Sequence, residues 1–302
     1  MKEVVRIVQE LVPRLGEQES DPVPLGGGIT NRNFRVRMGG RDYVVRVPGK
    51  DTDLLGIDRV AERDANEKAA ELGLAPRVVA MLTDPPCLVT EFVEGIEMGS
   101  SDLRDRGMLD RVAGALERLH SSGLELPTSF NAFEVVDDYA RTASERGVKA
   151  PPSFAEARGH ADKIRAALSG PEHAPAPCHN DLLAANFIRG EGLIWIVDWE
   201  YAGMGDRYFD LGNFSVNNEL DDAGQEALLR AYFGEEPGER RIATLRLFRF
   251  MSDFREAMWG VVQSGVSELD FDFNDYAEKH FQRLHDAAAD PRFSRWLQQA
   301  AG

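Results

Sequence analysis

Three features of the chain predict a two-lobed α+β fold. After a first helix, the first 95 or so residues are strand-rich with one helix inserted, and the rest reads as mainly helical. One short insertion of strand and loop, from His179 to Asp198, interrupts the helices. The expected division is a strand-rich first lobe over residues 1–95 and a helical second lobe over residues 96–302. A chain of 302 residues is long enough to bury a separate core in each.

The start of the chain, Met1 to Val8, alternates charge with aliphatics, so an amphipathic helix ending near Pro13 is expected. It lacks the small-residue cleavage site of a signal peptide. Asn33–Arg37 and Tyr43–Val47 alternate on either side of Gly39-Gly40, which predicts a β-hairpin with a glycine turn. Asp58 to Leu72 turns helical, with Ala61, Ala65, Ala69 and Leu72 on one face and Gly73 as the stop. Arg77–Leu82 and Cys87–Phe92 supply two more strands around Asp84-Pro85-Pro86. Beyond Gly95, helices are expected over Met108–His120, Phe130–Arg146, Phe154–Leu168, Ala223–Tyr232, Arg241–Val262 and Tyr276–Ala289.

Composition narrows the function. A formal charge of −16 argues against nucleic acid or an anionic membrane surface as partner, since both need a basic face. That charge serves solubility first and attraction of a cationic substrate second. No apolar run approaches the roughly 20 residues that cross a bilayer. Cys87 and Cys178 lie far apart without metal-ligand spacing, which predicts two buried thiols and a cytoplasmic location.

The most informative stretch is His179-Asn180-Asp181-Leu182-Leu183-Ala184-Ala185-Asn186-Phe187, followed by Ile196-Val197-Asp198-Trp199-Glu200. A carboxylate, an amide five residues on, and a second carboxylate ending an apolar strand form a phosphoryl-transfer pattern. In that template the first Asp accepts the proton of the attacking hydroxyl, while the Asn and second Asp hold magnesium against the ATP phosphates. The roles fall on Asp181 as catalytic residue and on Asn186 and Asp198 as metal ligands. A protein-kinase-like arrangement is then expected, with ATP and Mg2+ in the cleft between the lobes.

The first lobe has matching parts. Gly26-Gly27-Gly28 ahead of the hairpin would let the backbone approach phosphates, with Gly27 and Gly28 as contacts and Thr30 and Asn31 adding side chains. The run fits neither the dinucleotide fingerprint nor the Walker A pattern. Arg46 on the third strand is the cation placed for the phosphates, and Glu62 on the next helix is its partner, with Glu67 as a competitor. Glu91 and Val93 would meet adenine through main-chain groups, an assignment that follows chain order alone.

With these residues in view, the chain resembles the choline/ethanolamine kinase family, within the aminoglycoside-phosphotransferase-like group of kinase folds. The likeness runs from about Leu25 to Phe281. It rests on Leu25–Asn31, Ile57-Asp58-Arg59 with Glu62 and Asn66, and Leu72–Pro76. More specific are His179-Asn180-Asp181 with Asn186, Asp198–Gly203, and Phe209–Asn213. Trp259–Gln263, Phe271-Asp272-Phe273, Tyr276 and Phe281 complete it. The resemblance implies that an arginine at Arg46 is typical and that the spacing from Pro76 favours Glu62. It places Glu200 with the metal and substrate, and it gives His179 and Asp210 the support of the catalytic loop. Tyr201 and Trp259 would flank a cationic substrate. Two positions depart from the family: Glu256 stands where choline kinases usually carry a tryptophan, and Leu183 where eukaryotic members are often polar. Glu256 reads either as a pocket carboxylate selecting a primary amine or as a helix glutamate turned to water.

The expected enzyme is an ATP- and Mg-dependent phosphotransferase acting on the hydroxyl of a small amino alcohol, choline or ethanolamine. An aminoglycoside or other antibiotic kinase and a thiamine kinase are rivals within the class. A kinase-fold binding protein without turnover is the rival outside it. The expected partners are ATP and a small cationic alcohol, and assembly into a homodimer is left open.

Overall fold

The computed structural model describes residues 2–26, 31–49, 52–84, 86–267, 269 and 271–302. They form two compact units, Met1–Glu97 with Phe187–Glu200, and Met98–Asn186 with Tyr201–Gly302.

The first unit opens with α1 (Lys2–Leu15), then β1 (Val23–Leu25), β2 (Asn31–Met38), β3 (Arg41–Pro48), α2 (Arg59–Glu71), β4 (Val78–Thr83), β5 (Pro86–Glu91) and β6 (Ile96–Glu97). Strands β1 to β5 make one antiparallel sheet in the order β1-β2-β3-β5-β4. Helix α1 lays Val4, Ile7, Val8 and Leu11 against Phe34, Val36, Met38, Val45 and Val89. Those helix positions are spaced three and four apart, so they share one face. The helix runs two residues past Pro13. A proline in the last turn removes a single N–H bond, and the chain turns off only at Gly16, whose φ is 90°.

The β2–β3 turn requires its glycines. Gly39 and Gly40 have φ of 53° and 78°, and a Cβ on Gly39 would lie 2.3 Å from the carbonyl oxygen of Leu15. Helix α2 starts at Asp58, whose side chain accepts from the N–H of Val60 and Ala61 at 2.8 and 3.1 Å. It ends before Gly73, with φ of 67°.

The chain continues through α3 (Ser100–Leu103), α4 (Arg106–His120), α5 (Ala132–Glu145), α6 (Phe154–Ala167) and β7 (Ala176–Cys178). The hairpin β8 (Phe187–Arg189) and β9 (Ile194–Ile196) follows, then β10 (Gly203–Gly205), α7 (Arg207–Asn217) and α8 (Asp222–Phe233). The last elements are α9 (Glu239–Val266), α10 (Phe273–Ala289) and α11 (Phe293–Ala301). A cut at residue 95 leaves 187–200 with the helical part, but β8 pairs with β6, and this segment groups with the first unit.

In the second unit α9 packs against α5, α7, α10 and α11. Helix α7 was not expected from the sequence. Every residue from Tyr208 to Val216 is buried, and its polar side chains Asp210 and Asn213 face the catalytic loop rather than water. Gly212 admits the α9 backbone, since a Cβ there would lie 2.7 Å from the carbonyl carbon of Phe248. Cys87 and Cys178 are free and buried. No described helix is long and apolar enough to cross a membrane.

Candidate active site

In the second unit the loop after β7 carries Asp181 and is tied to α7 by its backbone. Asp210 is completely buried. Its carboxylate accepts the N–H of His179 at 2.8 Å and of Asn180 at 2.7 Å. His120 Nε2 also meets it at 3.0 Å, and Tyr232 holds the other ring nitrogen of that histidine at 2.8 Å. Asn213, one turn along α7, accepts the N–H of Leu182 at 2.5 Å. Inside the loop His179 Nδ1 accepts the Asp181 N–H at 3.2 Å. Asn180 has a φ of 67°, a conformation uncommon outside glycine and one that asparagine tolerates.

Asn186 completes this loop. Its Nδ2 donates to the main-chain carbonyl of Asp181 at 2.8 Å, with Asp181 Oδ2 a further 3.5 Å contact. With the NH2 end anchored, the amide oxygen is the end left for a cation. A hard carbonyl oxygen suits magnesium, so the residue fits the metal role expected of it.

The first unit gathers a charge network around Arg46. Its Nη1 meets Glu62 Oε1 at 2.9 Å and also bonds Asp198 Oδ1. Burial opposes the charge on Arg46, but Asp198, Glu62 and Glu200 hold its pKa above the ordinary value. Asp198 itself has a φ of 68°, a second residue in the left-handed region at a candidate site. Glu67, the competitor for Glu62, is exposed on α2.

Glu200 is buried in the same network. Its Oε2 accepts from Asn31 Nδ2 at 2.8 Å and from Arg59 Nη1 at 3.1 Å. Burial pushes its pKa up to about 8, with repulsion from Asp198 and Glu62 adding to the shift. Asn31 was expected to reach phosphate. Its amide is instead engaged at both ends, donating to Glu200 and accepting from Arg59 Nη2 at 3.1 Å. Gly27, Gly28 and Thr30 lie outside the described residues. At the end of β5 the Glu91 N–H is taken by the Arg77 carbonyl at 2.9 Å, so only its carbonyl remains for an adenine contact. Val93 enters no main-chain hydrogen bond among the described residues.

Of the residues expected at the substrate, Tyr201, Glu256 and Trp259 lie in the second unit, while Glu200 belongs to the charge network of the first. Trp259 Nε1 donates to the Tyr201 hydroxyl at 3.1 Å. Trp259 also meets the rings of Phe273 and Tyr276 edge-on, with centroids 5.7 and 5.5 Å away. Glu256 is 3% exposed, which removes the reading of a glutamate turned to water. Nor is it an open carboxylate. Oε1 accepts from Arg255 Nη1 at 2.5 Å and Oε2 from the Tyr276 hydroxyl at 2.8 Å. Burial works against its charge, but Arg255, His280 and Tyr276 bring its pKa below the usual carboxylate value.

Two residues at these sites were not picked out from the sequence. Arg59 bridges Glu62 and Glu200, and Arg255 bridges Asp181 and Glu256. The signal for Arg255 was present: an Arg-Glu pair inside the apolar run Phe254–Trp259 has to be buried with partners.

The sequence pattern of the phosphotransferase enzyme family matches residues 21–245. The solved choline/ethanolamine kinase family protein from Mesorhizobium loti is 31% identical, with a TM-score of 0.86 and 99% of both chains covered. The chain belongs to the choline/ethanolamine kinase family, within the phosphotransferase enzyme family. Choline kinase LicA from Streptococcus pneumoniae is 25% identical, with a TM-score of 0.82 over 96% of this chain and 99% of that one. Ethanolamine kinase 2 of Mus musculus is 27% identical over 92% of this chain and 79% of its own length. The α+β fold is thus the kinase-like fold of this family, and the protein is a kinase that phosphorylates a small molecule.

Proposed function

We propose that this enzyme transfers the γ-phosphoryl group of ATP, with magnesium, to the hydroxyl of a small amino alcohol of the ethanolamine or choline type. One observation carries the assignment of roles: Asn186 Nδ2 holds the main-chain carbonyl of Asp181, which fixes base and metal amide in a single braced loop.

Asp181 takes the proton of the acceptor hydroxyl as its oxygen bonds to the γ-phosphorus and the bond from phosphorus to the ADP oxygen breaks. Asn186 and Asp198 are the proposed magnesium ligands. Magnesium, when bound, would supply positive charge against the phosphate oxygens. Arg46, kept charged by Glu62 and Asp198, faces phosphate charge on the nucleotide side, and Arg59 holds Glu62 and Glu200 in position. Val93 and the Glu91 carbonyl are the groups assigned to adenine. Tyr201 and Trp259 bound the acceptor, Asp210 and His179 keep the Asp181 loop in shape, and cytoplasmic substrates are expected.

The names of the relatives support an amino alcohol. The test is ADP release with Mg-ATP and a panel of ethanolamine, choline, thiamine and an aminoglycoside. Turnover confined to the amino alcohols and abolished by a chelator supports the proposal. Turnover with the aminoglycoside or thiamine alone, or turnover that survives chelation, overturns it.

A further inference from the structure

A cavity of about 280 Å3 lies among the last helices of the second unit, and four arginines line it: Arg246, Arg249, Arg283 and Arg292. None of its lining residues belongs to the candidate active site. Three of the arginines are matched by carboxylates. Arg246 meets Asp222 at 3.0 Å, and Arg283 meets Asp253 at 3.1 Å. Arg292 meets Asp222 at 2.7 Å and Asp290 at 2.8 Å. Asp286, the fourth carboxylate of the wall, is exposed to water. Arg249 enters no ion pair among the described residues. Its Nη1 donates to Ser215 Oγ at 2.6 Å, to the Leu220 carbonyl at 2.8 Å and, at 3.4 Å, to the Ser215 carbonyl.

Those bonds cap the C-terminal end of α7, where a cation is favoured, and they use one nitrogen only. Nε and Nη2 make no hydrogen bond among the described residues, and neither is shut off from solvent. Together they are a two-pronged fork that fits a phosphate or a carboxylate through two bonds at once. The residue lines a space far larger than the roughly 30 Å3 share of one water. Burial and the neighbouring Arg283 and Arg246 bring the Arg249 pKa down to about 10, with Asp253 and Asp222 opposing them. At neutral pH the side chain therefore keeps its charge, and the chain sets only neutral oxygens against it.

We propose that this cavity is a binding site for a phosphate group, gripped by the free edge of Arg249. Arginine and aspartate are equal in number in the wall, but Asp222, Asp253 and Asp290 are already committed to the other three arginines. The unmatched charge that faces the space is therefore positive. Several guanidinium groups around one space suit the two charges of a phosphate better than the single charge of a carboxylate, which is how arginine clusters recognise phosphate. Trp296 lies beneath Arg246 and Arg292, its ring centroid 5.2 and 5.3 Å from their Cζ atoms, and keeps both guanidinium groups in the wall. The binding is non-covalent and does not depend on the acceptor proposed above. Free phosphate and a phosphate monoester offer the fork the same oxygens.

The test is calorimetric titration of the full chain, in phosphate-free buffer at neutral pH, with inorganic phosphate and with O-phosphoethanolamine. The proteins are the wild type, Arg249→Lys, Arg249→Leu and Ala287→Phe. Ala287 lines the cavity on α10, so phenylalanine there fills the space and leaves Arg249 and its cap on α7 in place. Binding at the candidate active site is common to all four proteins and cancels in the comparison. Titration with Mg-ADP should give the same affinity in each, which shows that the nucleotide site is intact. Arg249→Leu and Ala287→Phe should each weaken binding of the phosphate probe by about tenfold or more, the scale of a lost charge-assisted hydrogen bond. Arg249→Lys, with charge but no fork, should fall between, and the tighter of the two probes names the source of the phosphate. If Arg249→Leu does not fold, Ala287→Phe decides alone. A wild type that binds neither probe, or binding that Arg249→Leu or Ala287→Phe leaves unchanged, overturns the proposal and leaves the fork to water.

Discussion

Replacing Asp210 is the sharpest test of how the catalytic loop is held. In Asp210→Ala the N–H groups of His179 and Asn180 lose acceptors at 2.8 and 2.7 Å, and His120 loses one at 3.0 Å. The site is completely buried, so water does not replace them without opening the loop. A buried donor left unpaired costs about 1–3 kcal/mol, and the two backbone groups alone give about 2–6 kcal/mol. That is a large share of the roughly 5–15 kcal/mol that holds a typical domain folded. Asp210→Asn keeps one acceptor oxygen but turns an NH2 toward an N–H, so it should cost less than alanine and more than a surface change. The assay is urea unfolding of wild type and both variants at matched concentration, followed by ADP release and nucleotide titration at a temperature where each is folded. Turnover should drop, because Asp181 rides on the loop, while the nucleotide affinity of the folded variant stays near wild type. A stability loss in Asp210→Ala below about 1 kcal/mol, the low end for a single buried donor left unpaired, would refute this account of the brace.

Three further outcomes are expected. Asp181→Ala should lower kcat by about 10²–10⁴, the usual contribution of a general base, with Mg-ATP affinity nearly unchanged; a variant within tenfold of wild type would remove Asp181 from the role. Asp198→Ala should weaken binding of Mg-ATP by at least the roughly 10–100-fold that loss of an outer-shell metal partner costs, and calorimetry showing unchanged affinity would contradict the ligand assignment. Burial pushes the Cys87 thiol up to about 12 and raises the Cys178 thiol well above its ordinary value. A raised thiol pKa favours the neutral form, which is the poor nucleophile. At about pH 8 neither cysteine of the native protein should react with iodoacetamide, while both should react once it is unfolded. Native labelling of Cys87 at the unfolded rate would count against its burial.

Much of this enzyme was legible in its sequence because the signals were local. The alternation around Gly39-Gly40, the Asp58 cap and Gly73 stop of α2, and the apolar spacing of α1 each act over a few residues. The spacing of Asp181, Asn186 and Asp198 is local in the same sense. It reflects one loop and one hairpin, and with the flanking residues it was enough to point to the family. What the sequence left hidden was burial on all sides. Helix α7 is buried from Tyr208 to Val216, and only the tertiary structure shows that Asn213 meets the Leu182 N–H and that Gly212 admits the backbone of α9. Partner choice over long separations was hidden for a different reason. Asn31 was read as a phosphate contact, yet it is taken by Glu200, 169 residues away. Glu256 was read as a carboxylate either open to the substrate or turned to water, and it is neither, because Arg255 and Tyr276 saturate it. A buried charge is defined by what neutralises it. Sequence spacing shows that such a group exists, and tertiary structure decides which partner it meets.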